Sequence, residues 1–158
     1  MLGTRHSGRI ITPVSIANAI SPEYTILCDA LVDTCASHMV LPLAWKSKLG
    51  DIELIDTTEV ELADQSAQTA EIFGPVKIQI EGFRPIYSEV LFIDMKPEEG
   101  IYEPLVGYIV LEQCQAGVDM VGHLLVHIKR LDLKAVPRII KHDLYKCARR
   151  IEPCRASG

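Results

Sequence analysis

Long apolar runs, paired cysteines and aromatic residues are absent or scarce in this chain of 158 residues, of which 6% are aromatic. No apolar run approaches the roughly 18 residues that a membrane-spanning helix needs, so we expect no membrane segment. Residues 1–12 lack a basic segment followed by an apolar stretch and a cleavage site, which favours a cytoplasmic location over secretion. The apolar fraction of 48% argues against disorder and predicts a domain with its own core.

Cysteine is present, but its spacing forms no Cys-x-x-Cys pair. An odd number of cysteines in a chain without an export signal predicts reduced thiols rather than a disulfide framework or a zinc site. We interpret Cys28 and Cys114 as core residues, because free cysteine is among the most buried residue types. The five cysteines lie at positions 28, 35, 114, 147 and 154.

The usual signatures of metal and phosphate sites are also missing. His123 and His127 are four residues apart, but they lie in a segment that reads as a strand, so the helical spacing of metal ligands does not apply. Gly100 and Gly107 stand alone rather than in a glycine-rich phosphate loop. We therefore predict no metal and no cofactor.

The net charge of −5 conceals two oppositely charged regions. Residues 1–128 carry seven Lys and Arg against 18 Asp and Glu, whereas residues 129–158 carry nine against three. The acidic body is a poor candidate for binding nucleic acid. The basic tail could contact an acidic surface on its own domain or on a second copy of the chain.

We divide the chain into one domain, residues 1–130, and a basic C-terminal extension, residues 131–158. The extension could pack on its own domain or form a dimer contact, and it lacks the aromatic interleaving that would favour nucleic-acid binding. Four of its residues recur at helical spacing and predict an amphipathic helix near residues 138–151: Ile140, Leu144, Cys147 and Ile151.

The first part of the body reads as short strands. Residues 14–20 and 25–32 are rich in apolar and β-branched side chains and predict two strands joined by a turn. Residues 42–49 begin with proline and end before Gly50, the pattern of a short helix with its stop signal.

A hairpin and a second short helix follow. Residues 58–63 and 69–82 predict two strands with a polar tip at residues 64–68; in the second strand apolar and polar side chains alternate, as in a half-buried strand. Residues 87–94 predict another strand. Residues 108–117 predict a helix that closes at Gly117, followed by a turn and a last strand.

The stretch at residues 31–41 reads LVDTCASHMVL, an apolar run interrupted at Asp33. Such an aspartate commonly shapes a turn by accepting hydrogen bonds from the local backbone, here with help from Thr34 and Ser37. This interpretation of Asp33 is purely structural.

Two motifs together resemble the retropepsin-like aspartic proteases and their bacterial relatives. LVDTCAS precedes the helix that begins LPLAW, and EPLVG, at residues 103–107, precedes the second helix. That family carries an apolar-apolar-Asp-Thr/Ser-Gly-Ala motif early and an apolar-apolar-Gly motif late. The similarity covers about residues 12–128, with the order and spacing kept.

The resemblance implies a mainly β fold, a closed barrel with short helices, in which Asp33 lies in a loop at the base of a cleft. Thr34 would hold that loop against its counterpart in a partner subunit. Leu105, Val106 and Gly107 would form the strand and turn beneath the loop. The hairpin from Thr58 to Ile80 would be a flap over the substrate, and the implied substrate-binding residues are Cys35, Ala36, Asp64, Gln65 and Ser66.

One catalytic aspartate per chain has a consequence under this resemblance. Hydrolysis by this class needs two carboxyl groups that share a proton, so that one accepts a proton from water while the other donates to the carbonyl oxygen. The chain has a single Asp-Thr motif. The resemblance therefore implies a homodimer in which Asp33 meets its symmetry mate on the two-fold axis.

The sequence departs from the family at Cys35, where the family has glycine. Glycine lets the loop backbone approach the substrate and the acid pair closely, and a cysteine side chain adds bulk there. Cys35, His38 and Asp33 could also be imagined as a nucleophile, a base and an orienting acid, but three residues within six positions seldom reach that geometry.

We therefore predict a homodimeric aspartic endopeptidase that acts on proteins or peptides. The alternative is a catalytically inactive domain of the same fold that serves as a peptide-binding, protein-binding or dimerisation module. Cys35 is the feature that divides the two predictions.

Overall fold

The computed structural model of the chain describes residues 8–62 and 65–128. The predicted helix near residues 138–151 and the boundary at residue 130 lie outside these ranges and stay predictions. The described part contains nine strands, one 3₁₀ helix (Leu43–Leu49) and one α-helix, α1 (Tyr108–Cys114). The strands are β1 (Ile11–Asn18), β2 (Thr25–Val32), β3 (Met39–Pro42), β4 (Glu53–Glu61), β5 (Ala67–Ile80), β6 (Ile86–Ile93), β7 (Leu105–Val106), β8 (Ala116–Asp119) and β9 (Leu124–His127).

Six of these strands close into a barrel. The sheet order is β1-β2-β7-β3-β6-β5-β4, and β1 also pairs with β5, which closes the ring and leaves β4 attached to β5 alone. The pairings are antiparallel except that β2 runs parallel to β7 and β3 runs parallel to β6. The fold is thus the mainly β closed barrel that the sequence predicts.

The alternation of side chains across β5 places its apolar residues inside the barrel. Val76, Ile78 and Ile80 are buried, whereas Lys77 and Gln79 between them are exposed. Because successive side chains on a strand point to opposite faces, alternating apolar and polar residues give one buried and one solvent-exposed face.

Strand β3 and the second half of β6 bury both faces and so separate two apolar clusters. Met39 and Phe92 belong to the main cluster inside the barrel, whereas Val40 and Leu91 belong to a smaller second cluster. Continuous apolar runs are typical of strands that are covered on both sides. The residues packed in the second cluster also include Ala36, Val60, Leu62, Ile72, Met95 and Leu105.

Both predicted helices are present, but each differs in its ends. The first begins at Leu43 rather than at Pro42, which is extended and ends β3, and it is a 3₁₀ helix that stops at Gly50 as predicted. The second ends at Cys114 rather than at Gly117, because Gln115 adopts the left-handed conformation with φ of 60°. A left-handed residue after the last helical turn is a common helix stop, but glutamine gives little sequence warning of it.

The end of the described chain is a hairpin rather than a single strand. Gly117 lies in β8, which pairs with β9 in a separate two-stranded sheet. Sequence analysis missed β8 because its four residues, AGVD, are too short for an alternation to register. No helix among residues 8–62 and 65–128 is long and apolar enough to cross a membrane.

Of the three cysteines in the described residues, two contribute to packing, as the sequence predicts. Cys114 is buried in the main cluster, and Cys28 is half-buried against it. Burial, and next the charge of Asp29, raise the pKa of Cys28 to about 11. Burial likewise raises the pKa of Cys114. Both thiols are therefore protonated and weakly reactive at neutral pH, whereas Cys35 is exposed.

Candidate active site

The loop that carries Asp33 passes around β7 and is bonded to it and its neighbours through the backbone. Asp33 N–H donates to the Val106 carbonyl at 3.0 Å, and Leu31 N–H donates to the Pro104 carbonyl at 2.8 Å. Beyond the loop, the chain returns as β3 on the other side of β7. The two sequence motifs, far apart along the chain, thus form one structural unit.

Gly107 allows this unit to close. A Cβ atom at residue 107 would lie 2.4 Å from the His38 carbonyl oxygen and 2.5 Å from the Ser37 carbonyl carbon and oxygen. All three are backbone atoms, which cannot rotate away. The N–H groups of Tyr108 and Ile109 then donate to the carbonyls of Ala36 and Ser37 at 2.9 and 3.0 Å.

The Asp33 carboxylate shapes its own loop while remaining accessible. Its Oδ1 accepts a hydrogen bond of 2.9 Å from Cys35 N–H, and its carbonyl accepts one of 3.2 Å from Ala36 N–H. The side chain is half-buried. The turn-shaping role considered for Asp33 is therefore present, and it orients the carboxylate without covering it.

Cys35 does not need the conformational freedom of glycine. The non-glycine residues with positive φ in the described chain are Gln65, Glu99, Gln115 and His123, and Cys35 is not among them. A cysteine therefore fits the backbone of the loop. What its side chain changes is the space beside Asp33, since Cys35 is exposed on the same loop.

The other predicted residues of this loop have contrasting environments. Thr34 is exposed, while Ala36 packs against the second cluster beside Leu105. Val106 is fully buried in the main cluster. Ala36 and Val106 thus anchor the loop, whereas Thr34 faces outward.

Three polar side chains that the sequence did not predict as a group interact in series next to this loop. Ser37 Oγ and His38 Nδ1 are 2.7 Å apart, and His38 Nε2 lies 3.7 Å from Glu89 Oε2. Both ring nitrogens of His38 thus face groups other than Cys35, which argues against a Cys35–His38–Asp33 triad. Glu89 is distant in sequence and gave no signal that could have linked it to His38.

The two histidines considered as metal ligands are not paired. His127 lies in β9 with its ring 4.4 Å from that of Phe83, and His123 lies in the preceding turn. No group of three or more potential metal-ligating side chains occurs in the part of the chain that the structure describes.

The predicted flap is a long hairpin whose strands meet two residues earlier in the chain than expected. Strand β4 ends at Glu61 rather than at residue 63, and β5 begins at Ala67 rather than at residue 69. Leu62 N–H donates to the Ser66 carbonyl at 2.9 Å, and Gln65 lies in the hairpin turn with φ of 65°. Asp64, predicted at the tip, lies outside the described residues.

A cavity of about 1240 Å³ separates this turn from the chain segment that precedes β7. Leu62 and Met95 line the cavity and also pack against the second cluster, which contains Ala36 of the Asp33 loop. Asp33 itself does not line the cavity in a single subunit. Residues from three segments form its walls: Arg9; Leu62, Ser66, Ala67 and Gln68; and Ile93, Asp94, Met95, Lys96, Glu98, Glu99, Ile101 and Glu103.

Comparison with solved structures identifies a similar fold. The chain resembles the EIAV protease solved in complex with the inhibitor HBY-793, with a TM-score of 0.51 and 20% sequence identity. The match covers 70% of this chain and 92% of that one. No protein-family model and no curated protein matches the sequence. At this level of identity the likeness establishes a retropepsin-like fold.

Proposed function

We propose that the chain is an aspartic endopeptidase that acts as a homodimer, with Asp33 of each subunit forming the catalytic pair. The observation that carries the proposal is the position of Asp33, half-buried in a loop locked around β7, in a fold shared with a retroviral protease. The structural unit that would hold one catalytic carboxylate is complete in each chain. The second carboxylate would come from the partner.

Two carboxylates at a two-fold axis would divide the work of hydrolysis. Like charges so close cannot both ionise, so the pair holds one proton between them. The ionised carboxylate accepts a proton from the attacking water, and the protonated one donates its proton to the carbonyl oxygen of the peptide bond. Exposed Thr34 would brace each loop against the other at this axis.

The hairpin β4–β5 would cover the bound peptide. Strand β4 pairs with β5 alone and is mostly exposed, so the hairpin extends beyond the closed barrel. Leu62 and Ser66, near the tip of the hairpin, line the cavity described above. Gln65 and Ser66 would then contact substrate from above, with Cys35 and Ala36 below, and Asp64 would join them at the tip. The proposal includes a cytoplasmic location, where free thiols such as Cys35 persist.

A catalytically inactive binding domain is the second candidate, and Cys35 favours it. Its exposed side chain follows Asp33 by two positions, in each of two loops that would meet in a dimer. Two thiols there could occupy the position of the catalytic water. Such a domain would retain the fold and the cleft and would bind a peptide without cleaving it.

We expect Cys35→Gly to raise kcat/KM for peptide cleavage by about tenfold or more, because displacement of reacting groups by even 1 Å can cost about 100-fold. The measurement is the initial rate on a mixed peptide library between about pH 3 and pH 7. Cys35→Ser, which keeps the size of the side chain, is the matched control and should leave the rate near that of the wild type. Activity seen only with Cys35→Gly would favour the inactive-domain candidate, and no gain would show that the thiol does not obstruct.

Sedimentation velocity should detect a dimer at micromolar concentration, and specific activity should fall on dilution below the dissociation constant. The reason is that a single chain supplies one catalytic carboxylate, so a monomer holds half of the catalytic pair. A protein that is strictly monomeric while fully active would rule out the acid-pair mechanism.

A further inference from the structure

The walls of the cavity below the hairpin turn carry unequal charge. Four acidic side chains, Asp94, Glu98, Glu99 and Glu103, line it against two basic ones, Arg9 and Lys96. Five of the six come from outside the motifs that hold Asp33, so their charge is not required by the catalytic loop. The cavity of one subunit is therefore negative, and a dimer would present two such walls to one peptide.

An ion pair within the chain neutralises one basic and one acidic side chain of the cavity wall. The Arg9 guanidinium forms an ion pair with Glu103, so these two charges cancel in the net charge of the wall. The remaining wall consists of Asp94, Glu98 and Glu99 against Lys96. Lys96 is exposed on a long flexible side chain and can turn away.

The acidic side chains are held on ordered backbone. Glu98 and Ile101 exchange backbone hydrogen bonds of 3.0 and 2.8 Å across a two-residue turn. Both turn residues, Glu99 and Gly100, have positive φ, of 50° and 80°, as tight hairpin turns require. Gln68 Nε2 of β5 donates to the Asp94 carbonyl at 3.1 Å, which ties the hairpin to the same wall.

Two contacts link the segments that carry the charged wall to the Asp33 loop. Val32 N–H donates to the Ile10 carbonyl at 2.9 Å, so the residue after Arg9 is bonded to the residue that precedes Asp33. The second apolar cluster connects Ala36 in the loop to Met95 in the wall. A peptide that reached Asp33 through this cavity would therefore pass the acidic turn.

We infer that this cleft selects peptides with Lys or Arg near the scissile bond. The inference rests on the proposed function, since it assigns a substrate class to the same cleft. A positive side chain gains attraction to the acidic turn, whereas a negative one is repelled, and the difference sets both encounter rate and affinity. Ion pairs at an exposed site are worth little singly, so selectivity comes from the several charges together.

The test compares peptide libraries that hold Lys, Gln or Glu at one position near the centre and are mixed elsewhere. We expect the Lys library to be cleaved about tenfold faster in kcat/KM than the Glu library, with Gln between them. The preference should weaken as ionic strength rises, because salt screens exposed charges. Glu98→Gln with Glu99→Gln should reduce it several-fold, and Glu98→Lys with Glu99→Lys should reverse it.

Glu23→Lys with Glu81→Lys is the matched control, since both residues are exposed, neither lines the cavity, and the net charge changes equally. This variant should keep the preference, and its loss there would overturn the inference by showing that net charge alone is responsible. Equal cleavage of all three libraries by the wild type would also overturn it while leaving the protease function intact.

A binding measurement with Asp33→Asn distinguishes failure of the proposed protease function from failure of the charge selectivity. Fluorescence anisotropy of the labelled Lys, Gln and Glu libraries should rank their affinities in that order even if no peptide is cleaved. That ranking, with an inactive wild type, would remove the protease function and retain the charge selectivity. Equal affinities would overturn the selectivity.

Discussion

Asp33→Asn should lower kcat/KM for peptide cleavage by at least about 100- to 10,000-fold, the range that a general acid–base group contributes. An amide can neither accept the proton of the attacking water nor share a proton with its mate. Because the proposed homodimer would take both catalytic groups from one gene product, a single substitution would remove both.

The loss should occur without unfolding. Asparagine keeps an oxygen where Asp33 Oδ1 accepts the 2.9 Å hydrogen bond from Cys35 N–H, so the turn can remain. The midpoint of urea unfolding, measured beside activity, should therefore change little. Asp29→Asn, at an exposed acid on β2, the strand that precedes the Asp33 loop, is the matched control and should stay active. Cleavage that survives Asp33→Asn would exclude the acid-pair mechanism.

Gly107→Ala should destabilise the fold by about 2–4 kcal/mol, among the larger effects of adding one methyl group. The backbone at this position, with φ of −84° and ψ of 171°, is one that alanine adopts readily. The cost therefore comes from space, since the new Cβ would lie 2.4 Å from the His38 carbonyl oxygen and 2.5 Å from Ser37 backbone atoms. Relief requires moving the segment that follows Asp33, so activity should fall as well.

Gly117→Ala provides the comparison for that effect. There the added Cβ would approach side-chain atoms of Ile128 at 2.9 Å and of Val126 at 3.4 Å, and a side chain can rotate away at low cost. Urea unfolding should place Gly117→Ala within about 1 kcal/mol of the wild type. Equal stabilities for the two variants would contradict the tight packing of residue 107 against the Asp33 loop.

Much of the barrel could be predicted because its signals are local. The alternation in β5 and the β-branched runs of β1 and β2 depend on side chains that are neighbours along one strand. The ends of elements were less predictable. Gln115 adopts a left-handed conformation that glutamine seldom signals, and β8 is too short for its period to emerge.

The candidate site divides in the same way. Asp33 and Gly107 could be predicted as site residues because each lies in a motif of contiguous residues, LVDTCAS and EPLVG respectively. The pairing of His38 with Glu89, and of Arg9 with Glu103, joins residues distant in sequence. A single sequence carries no record of which distant side chains meet, so these contacts could not be predicted.

The amino-acid sequence by itself determined most strands of the barrel, though not β3, together with the position of Asp33 after a strand and the presence of one such acid per chain, because each depends on short-range order. Tertiary structure alone decided that Gly107 has no room for a side chain and that an acidic turn borders the cavity. The physical reason is that these features arise from backbone and side-chain contacts between distant segments, which form only when the barrel closes.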